Sequence, residues 1–531
     1  MSVLRVRSEA GEQCFEVSAG QSVRDVLDRS ALRVRAACGG TGSCGACVVR
    51  LLGGAASPPT LAEYLKLTPE ERAAGQRLAC QLRIQGDLEV ELEHPAPPSA
   101  WTSMSPENLV AHPFSQPQLS EHIYGLAVDL GTTHIRLALW DRRAGKRIAS
   151  RRGPNPQGSF GADVLNRLQA ACAHPEHAAA LAREAREAIL HALRDILARD
   201  VGEVTPMLAE IGEVMIVGNT AMLVLLTGQG ADQLIDPAYW QEKIDFQPVD
   251  RKNWAAPWHL PRARIELPGP VAGFVGSDLL ADLIATGLAD GPPGSLLLDV
   301  GTNTELALWD GTCLHVTSVP GGPAFEEGGI RHGMPAEAGA IWRVSRADGR
   351  VHCATLGGGV ARGICGSGLV DAIAVLLAGG ELKPSGRFAV SPGPDGLALE
   401  PGNPATALTG LDVDAFQRAK AAIAAAMGQL LQLAGLGWGD LRRLCVCGAF
   451  GHRLEVANAQ AVGLLPPLAG GRIELHADAS LAGCEQALLA PDGARQFLAL
   501  TAKIKAINLS LQPDYEESYI NHLRLRPIAV V

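Results

Sequence analysis

The chain has 531 residues, enough for at least two hydrophobic cores, and its 47% hydrophobic and 19% charged content is that of globular material, not of disorder. A formal net charge of −10, without any run of Lys and Arg, repels a phosphate backbone and excludes nucleic acid as an expected partner. The N-terminus, MSVLRVRSEAGEQ, turns polar too soon for a signal peptide, and later apolar runs are interrupted before membrane-spanning length, so a cytoplasmic protein with no membrane partner is expected.

In a reducing compartment the twelve cysteines are metal ligands or buried thiols, since structural disulfides would not persist there. Cys38, Cys44, Cys47 and Cys80 fall together near the N-terminus, whereas the rest are scattered. Residues 2–7 and 13–18 alternate like a hairpin, and 22–29 reads as a short helix with Val23, Val26 and Leu27 on one face. The glycine-rich stretch CGGTGSCGAC, 38–47, comes next. It is followed by a strand, VVRLL, by a helix that Thr68, Pro69 and Glu71 would cap, by Cys80 in RLACQ, and by a last hairpin, LRIQGDLEVELE. An iron–sulfur cluster needs four converging thiolates, with backbone N–H groups of a tightly wrapped loop turned toward its sulfides. Gly39, Gly40, Gly42 and Gly45 let the loop wrap. A zinc site usually brings its ligands as two close pairs, and chance burial of thiols is the other alternative. The pattern closely resembles the [2Fe–2S] ferredoxin family, which folds as a β-grasp. The five residues between the first two cysteines depart from the plant-type four and look like the spacing of adrenodoxin-like and bacterial members. The first domain is placed at residues 1–93.

Residues 94–122 are rich in Pro and Ser and have no period, which predicts an extended, semi-rigid connector. It serves either as a spacer or as a tether that lets the cluster swing between donor and acceptor.

The remainder, 123–531, carries an internal repeat: YGLAVDLGTTHIRLALWD at 124–141 returns as SLLLDVGTNTELALWD at 295–310. Each copy is an apolar strand, an Asp, a turn with Gly and small polar residues, and a strand pairing back. Asp holds Mg²⁺ through water or orients an attacking water, while Gly, Thr and Asn offer donors to phosphate oxygens. Two ordinary hairpins would be the bland explanation of either copy alone. The repeat resembles the phosphate motifs of the actin, sugar-kinase and Hsp70-like superfamily. That resemblance implies a bilobed domain of duplicated ribonuclease H-like lobes, with Asp129, Gly131, Thr132 and Thr133 in the first phosphate loop and Asp299, Gly301, Thr302 and Asn303 in the second. GGGVARGICGSGLVDAIAVLL, 357–377, joins a glycine turn to an apolar helix and makes Gly366, Ser367 and Gly368 candidates for nucleotide contact. LCVCGAFGHRLEVANA places Gly448, Ala449, Phe450 and Gly451 after a strand and looks like the superfamily's adenosine motif. Between them a long helix presents Gln417 and Lys420 on one face. Lys420 either meets the nucleotide or is a solvated helix residue. Cys445 and Cys447 share one face of a strand and are read as small buried thiols in preference to metal ligands, and so are Cys353 and Cys365. His315, His332 and His452 are not at ligand spacings.

A cluster domain ahead of such an ATPase resembles the reductive activators of corrinoid-dependent methyltransferases. The likeness extends to GADVLNRL (161–168), VGNTAMLVLLTG (217–228), PGPVAGFVGSD (268–278), GGPAFEEGGIRHGMPAEAGAI (321–341) and INLSLQPDYEESYINHLRL (507–525). It implies a multi-domain α/β chain that binds a [2Fe–2S] cluster, ATP and Mg²⁺. Such a chain takes an electron from a reduced ferredoxin or flavoprotein and reduces the Co(II) cobalamin of a corrinoid protein to Co(I). In that scheme Asp129 and Asp299 organise Mg²⁺ and water at the γ-phosphate, and Glu326, Glu327 and Glu337 line a docking surface or a solvated loop. A homodimer is compatible with the sequence. Val224 stands where a polar or histidine residue is expected, and the short connector leaves no room for the extra middle domain of longer members. The competing functions are an ATP-driven donor to another low-potential enzyme, a redox-sensing nucleotide-binding module without turnover, and, ranked lower, a small-molecule kinase.

Overall fold

The computed structural model describes the chain except residues 1, 9–10, 29, 31, 35–39, 41, 43, 93–94, 96–98, 105–123, 162, 198–207, 241, 322, 327–328, 449, 451–452 and 530–531. It forms two compact units, one comprising 1–236, 245–269 and 484–495, the other 237–244, 270–483 and 496–531. Cys38, Gly39, Glu327, Ala449, Gly451, His452 and most of the connector lie outside the described residues.

The first unit opens with β1 (Ser2–Ser8) and β2 (Gly11–Val17), an antiparallel pair that sets Ser2 opposite Val17. Helix α1 (Val23–Leu27) starts at Ser22 with a capping box to Asp25. Then follow β3 (Val48–Ala56), α2 (Leu61–Lys66), α3 (Pro69–Ala73), β4 (Gln76–Leu78) and β5 (Ile84–Glu91), in a sheet ordered β2-β1-β5-β3-β4. The capping box of Thr68 and Glu71 on α3 agrees with the sequence reading, while α2, with its own box of Thr60 and Glu63, was not anticipated. One expectation is corrected. LRIQGDLEVELE is not a hairpin but a single strand, β5, parallel to β1 and antiparallel to β3. The reason is period: Ile84, Leu88 and Val90 fall on one face and are 0%, 3% and 0% exposed, so the glycine between them marks close approach and not a turn. On the facing strand, a Cβ at Gly54 would sit 2.2 Å from the Asp87 carbonyl oxygen.

The described end of the connector is also not an extended spacer. Trp101 is buried, lying over Gly153, where a Cβ would come within 2.4 Å of its ring, and its indole N–H donates to His191 Nδ1. After it, β6 (Thr102–Ser103) adds an edge strand to the first lobe by pairing with the strand Lys146–Pro154. A buried aromatic supplies more free energy than a short polar linker loses in freedom, so this stretch docks.

The first lobe is built on β7 (Tyr124–Leu130), β8 (His134–Asp141), β9 (Lys146–Pro154), β10 (Ile211–Gly218) and β11 (Arg264–Glu266) in the order β11-β10-β7-β8-β9-β6. Helix α5 (Pro175–Leu197) packs on β8 and β9, and helix α4 (Val164–Ala173) packs against α5. In the second unit β12 (Ser295–Val300), β13 (Thr304–Trp309) and β14 (Leu314–Val319) form the same meander, and strands Arg443–Gly448 and Ile473–Leu475 run parallel beside β12. Five strands of each sheet thus repeat one topology, two parallel pairings followed by two antiparallel ones, on consecutive buried residues such as Leu296–Leu298 and Val214–Val217, while the sixth strand is antiparallel in the first sheet and parallel in the second. The fold is the multi-domain α/β arrangement expected, a ferredoxin-like domain followed by duplicated actin/sugar-kinase-type lobes.

Candidate functional site

The cysteine loop is shaped by left-handed glycines: Gly40, Gly42 and Gly45 have φ of 100°, 83° and 74°, which other residues rarely adopt. Cys47 and Cys80 are 2% and 4% exposed and Cys44 is half-buried. The Ala46 amide donates to Cys44 Sγ at 3.4 Å, and Gln81 Nε2 reaches both Cys80 Sγ (3.5 Å) and the Gly40 carbonyl (3.3 Å), clamping the loop to the segment that carries Cys80. A hydrogen bond to Cys80, together with burial, pushes the Cys47 thiol well above its ordinary pKa. Two buried, touching thiols wrapped by amides make a poor thiolate site by themselves and a good one once iron supplies positive charge, so the donors present fit an iron–sulfur cluster.

In the first lobe the turn after Asp129 closes when the Gly131 amide donates to the His134 carbonyl at 3.1 Å. Asp129 is 5% exposed and accepts from Arg136 Nη1 at 3.0 Å. Burial, with Arg152 and Arg136 nearby, lowers the His134 pKa to about 3, so its ring stays neutral. Three further side chains hold the loop. Asn155 Nδ2 donates to the Gly131 carbonyl (2.9 Å), Arg167 Nη1 to the Thr132 carbonyl (2.8 Å), and Asn219 Nδ2 to Thr132 Oγ1 (2.9 Å). Asn219 is at the same time the N-cap of helix Thr220–Thr227, accepting from the Met222 amide at 2.9 Å. Sequence reading gives Arg167 no role and offers VGNTAM as a strand and helix N-cap, which Asn219 is, but nothing local announces Thr132 as the second partner. Val224 is 0% exposed on that helix and belongs to the core.

The second hairpin closes in the same way, with the Gly301 amide donating to the Asn303 carbonyl at 2.9 Å, but its surroundings are acidic. Asp282, on helix Ser277–Thr286, is fully buried; its Oδ1 accepts from Ser480 Oγ at 3.0 Å and its Oδ2 has no donor among the described residues. Burial, then the charges of Asp299 and Asp278, hold the Asp282 carboxyl well above the usual carboxylate range. Glu305, which accepts from Ser318 Oγ at 2.8 Å, is raised by burial and by the same two aspartates. Asp278, Asp282 and Glu305 went unassigned in the sequence, although an Asp inside a buried helix and a Glu inside an apolar strand are costly enough to be signals.

Gly448 lies directly behind this group. Its φ is 82°, and a Cβ there would stand 2.3 Å from the Val300 carbonyl oxygen and 2.5 Å from Asp299 Oδ1. Gly366 and Gly368 open helix Gly366–Ala378, where Cβ atoms would meet the Phe325 and Ile341 carbonyl oxygens, and Ser367 Oγ donates to the Trp342 carbonyl at 3.0 Å. Lys420 is not a solvated residue: it is 1% exposed on helix Gly410–Leu433, donates to the Arg524 carbonyl at 2.5 Å, and burial brings its pKa down to about 7. Gln417 donates to the Leu523 carbonyl, so both side chains of that face hold the C-terminal segment. Cys445 and Cys447 are buried thiols; Glu474 and His476 approach Cys445, but Arg443 grips Glu474 with two bonds of 2.7 Å. Glu337 is paired with Arg362 on the surface.

Comparison with known proteins divides the chain into three successive matches. Residues 6–85 match the 2Fe-2S iron-sulfur cluster binding domain, 124–291 the RACo middle region, and 294–529 the C-terminal domain of RACo, the ASKHA domain. The first hairpin falls in the middle region and the second in the C-terminal domain. The corrinoid activation enzyme RamQ of Eubacterium limosum is 29% identical over 423 residues, 75% of this chain and 70% of that one. The [Co(II) methylated amine-specific corrinoid protein] reductase of Methanosarcina barkeri is 26% identical over 431 residues, 73% and 74% of the two chains. Among solved structures, a reductive activator for corrinoid, iron-sulfur protein is similar with a TM-score of 0.64 at 25% identity, covering 99% of this chain and 98% of that one. Among the described residues no helix is long and apolar enough to cross a membrane. The order of cysteine loop, first hairpin and second hairpin along this chain is the order of the three family regions, and the chain belongs to the family of reductive activators of corrinoid proteins.

Proposed function

We propose that this protein uses ATP to reactivate a corrinoid protein, a [2Fe–2S] cluster on Cys38, Cys44, Cys47 and Cys80 supplying the one-electron chemistry that returns Co(II) to Co(I). The observation that carries the ATP part is the unequal electrostatics of two hairpins with one topology. The first is lined by Arg136, Arg152 and Arg167, the second by Asp278, Asp282, Asp299 and Glu305. Cations and backbone amides suit phosphate oxygens, and grouped carboxylates suit Mg²⁺. Thr132, Thr133, Gly131 and the turn of Gly301, Thr302 and Asn303 are assigned to the phosphates, Asp299 with Asp282 to Mg²⁺, and Asp129, oriented by Arg136, to the water at the γ-phosphate. Gly448 and Gly451, with Gly366, Ser367 and Gly368, are assigned to the nucleoside side of the site. Lys420 and Gln417 act indirectly, by holding the C-terminal segment.

ATP can help an uphill reduction only by favouring a conformation that binds one state of the corrinoid partner more tightly, after which hydrolysis resets the protein. The names of the relatives supply the partner class, and a reduced ferredoxin or flavoprotein is the donor that a cluster domain of this type accepts. The test mixes anaerobically reduced protein with candidate corrinoid proteins, with and without Mg-ATP, and follows Co(I) absorption alongside phosphate release. Co(I) that appears faster with ATP, and phosphate release stimulated by the corrinoid partner, is the expected result. Nucleotide binding without turnover in the presence of every partner would leave a sensing module instead.

A further inference from the structure

A buried chain of charges begins at the cysteine loop and ends in the first lobe. Arg24 on α1 is 3% exposed and its backbone amide donates to the Ala79 carbonyl at 3.0 Å, one residue before Cys80. Its guanidinium packs on the loop itself, since a Cβ at Gly40 would lie 2.5 Å from Nη1. Nε sits 3.3 Å from Asp28 Oδ2 without hydrogen-bond geometry, and Nη2 finds no hydrogen-bond partner among the described residues. The same Asp28 oxygen receives Arg151 Nη2 of β9 at 3.3 Å; Arg151 Nε donates to Asp195 Oδ1 of α5 at 2.5 Å; and Arg33 Nη1 meets Asp195 Oδ2 at 3.2 Å. None of the five side chains is more than 8% exposed.

The balance of this chain does not close by itself. Among the described residues the chain links three arginines to two buried aspartates, Asp25 acting on Arg24 only from a half-exposed position, and a guanidinium deprived of both water and acceptors is costly. The free end of the chain is Arg24, whose charge is opposed by burial and supported by Asp28 and then by Cys47 and Cys80. The missing anion therefore belongs on the cysteine side.

We propose that Arg24 is a redox-tuning residue whose unpartnered N–H groups face the cluster's thiolate and sulfide ligands, and that Asp28, Arg151 and Asp195 are positioning residues through which the first lobe sets its charge at the cluster. The proposal rests on the cluster reading above and extends it to the control of potential. A reduced cluster carries one more negative charge than an oxidised one, so a nearby cation stabilises the reduced form and raises the potential. Asp28 offsets that cation, and neutralising it acts in the opposite direction.

The test measures the midpoint potential of the full chain, purified anaerobically, by spectroelectrochemical titration, with iron content and visible circular dichroism as checks that the cluster is intact. Arg24→Gln is expected to weaken the reduced form about tenfold relative to the oxidised one, a downward shift of about 59 mV for a one-electron couple. Arg24→Lys should stay close to the parent, and Asp28→Asn should shift the potential upward. Asp195→Asn should move it in the upward direction by less. An intact cluster whose potential is unmoved in Arg24→Gln, or equal shifts in the Gln and Lys variants, overturns the tuning role and leaves the cluster reading standing. If Arg24→Gln loses its iron, the sign of the Asp28→Asn shift decides, a downward or absent shift refuting the proposal. Iron-free parent protein would defeat both readings at once.

Discussion

Asn219 offers the sharpest test of whether the first hairpin is a phosphate loop, because one side chain does two separable things there. Its oxygen caps helix Thr220–Thr227 through the Met222 amide, and its nitrogen donates to Thr132 Oγ1, which leaves the threonine hydroxyl hydrogen directed elsewhere. In Asn219→Ala the lost cap costs about 1 kcal/mol. The lost bond to the nearly buried Thr132 costs about 1 kcal/mol more, so the lobe should be destabilised by about 2 kcal/mol in denaturant titrations. If the oriented hydroxyl meets a phosphate oxygen, its disorder removes about 1.5 kcal/mol from nucleotide binding, the lower end for a hydrogen bond to a charged group, or about a tenfold rise in the ADP Kd by calorimetry. Asn219→Ser separates the two, since serine caps as well as asparagine but is too short to span to Thr132. The capping half of the lost stability, about 1 kcal/mol, should return in the serine variant and affinity should not. An alanine variant that loses stability but binds ADP like the parent, or a serine variant that regains affinity, would reduce Asn219 to a helix cap and remove the support for Thr132 as a phosphate ligand.

Gly448→Ala forces a Cβ into the left-handed region and against Val300 and Asp299, so a loss of about 3 kcal/mol in stability is expected together with a weakened Mg²⁺ dependence of nucleotide binding. Asp282 gives a pH signature. Its folded pKa lies above the unfolded one, so its contribution to stability is complete at acid pH and is lost as pH rises through the folded value. Thermal unfolding of nucleotide-free protein between pH 5 and 8 should accordingly fall more steeply with pH in the parent than in Asp282→Asn, and Mg-ADP should flatten the parent's slope; parallel curves would refute the buried carboxylate reading. Trp101→Ala empties a buried aromatic site worth about 3–5 kcal/mol and should speed proteolysis in the connector without bleaching the cluster. Unchanged cleavage would mean that the connector is not fastened there.

Motif and repeat were legible in the sequence because they are local. The cysteine loop, the paired hairpins and the Thr68–Glu71 capping box are each fixed by residues a few positions apart, and hairpin register follows from alternation, Tyr124 opposite Asp141 and Ser295 opposite Trp309. What escaped reading depends on distant partners. Nothing near residue 86 says that β1 will claim β5 as a parallel neighbour, so a glycine inside a strand read as a turn. Lys420 reads in the sequence as a nucleotide contact or a solvated residue because the acceptor that buries it, the Arg524 carbonyl, lies 104 positions away. The acids of the second hairpin are similarly dispersed: Asp278 and Asp282 share a helix, Asp299 and Glu305 sit on neighbouring strands opposite each other, and their mutual repulsion exists only once the helix is packed on the sheet.

The docked connector changes what kind of machine the first unit can be. A swinging tether would let the cluster search for donor and acceptor independently of the lobe, with polar, solvated residues between them. Here the connector contributes Trp101 and an edge strand to the lobe's own sheet, Ser103 donates to the Asp28 carbonyl, and Arg151 of the lobe reaches Asp28 of the cluster domain. Removing one partner of such a buried pair leaves an uncompensated charge and costs several kcal/mol, more than random motion of a linker returns. Any shift that nucleotide induces in β9 or α5 is therefore felt at α1 and at the cysteine loop through charge and packing together, and the coupling that reductive activation requires can begin inside this unit.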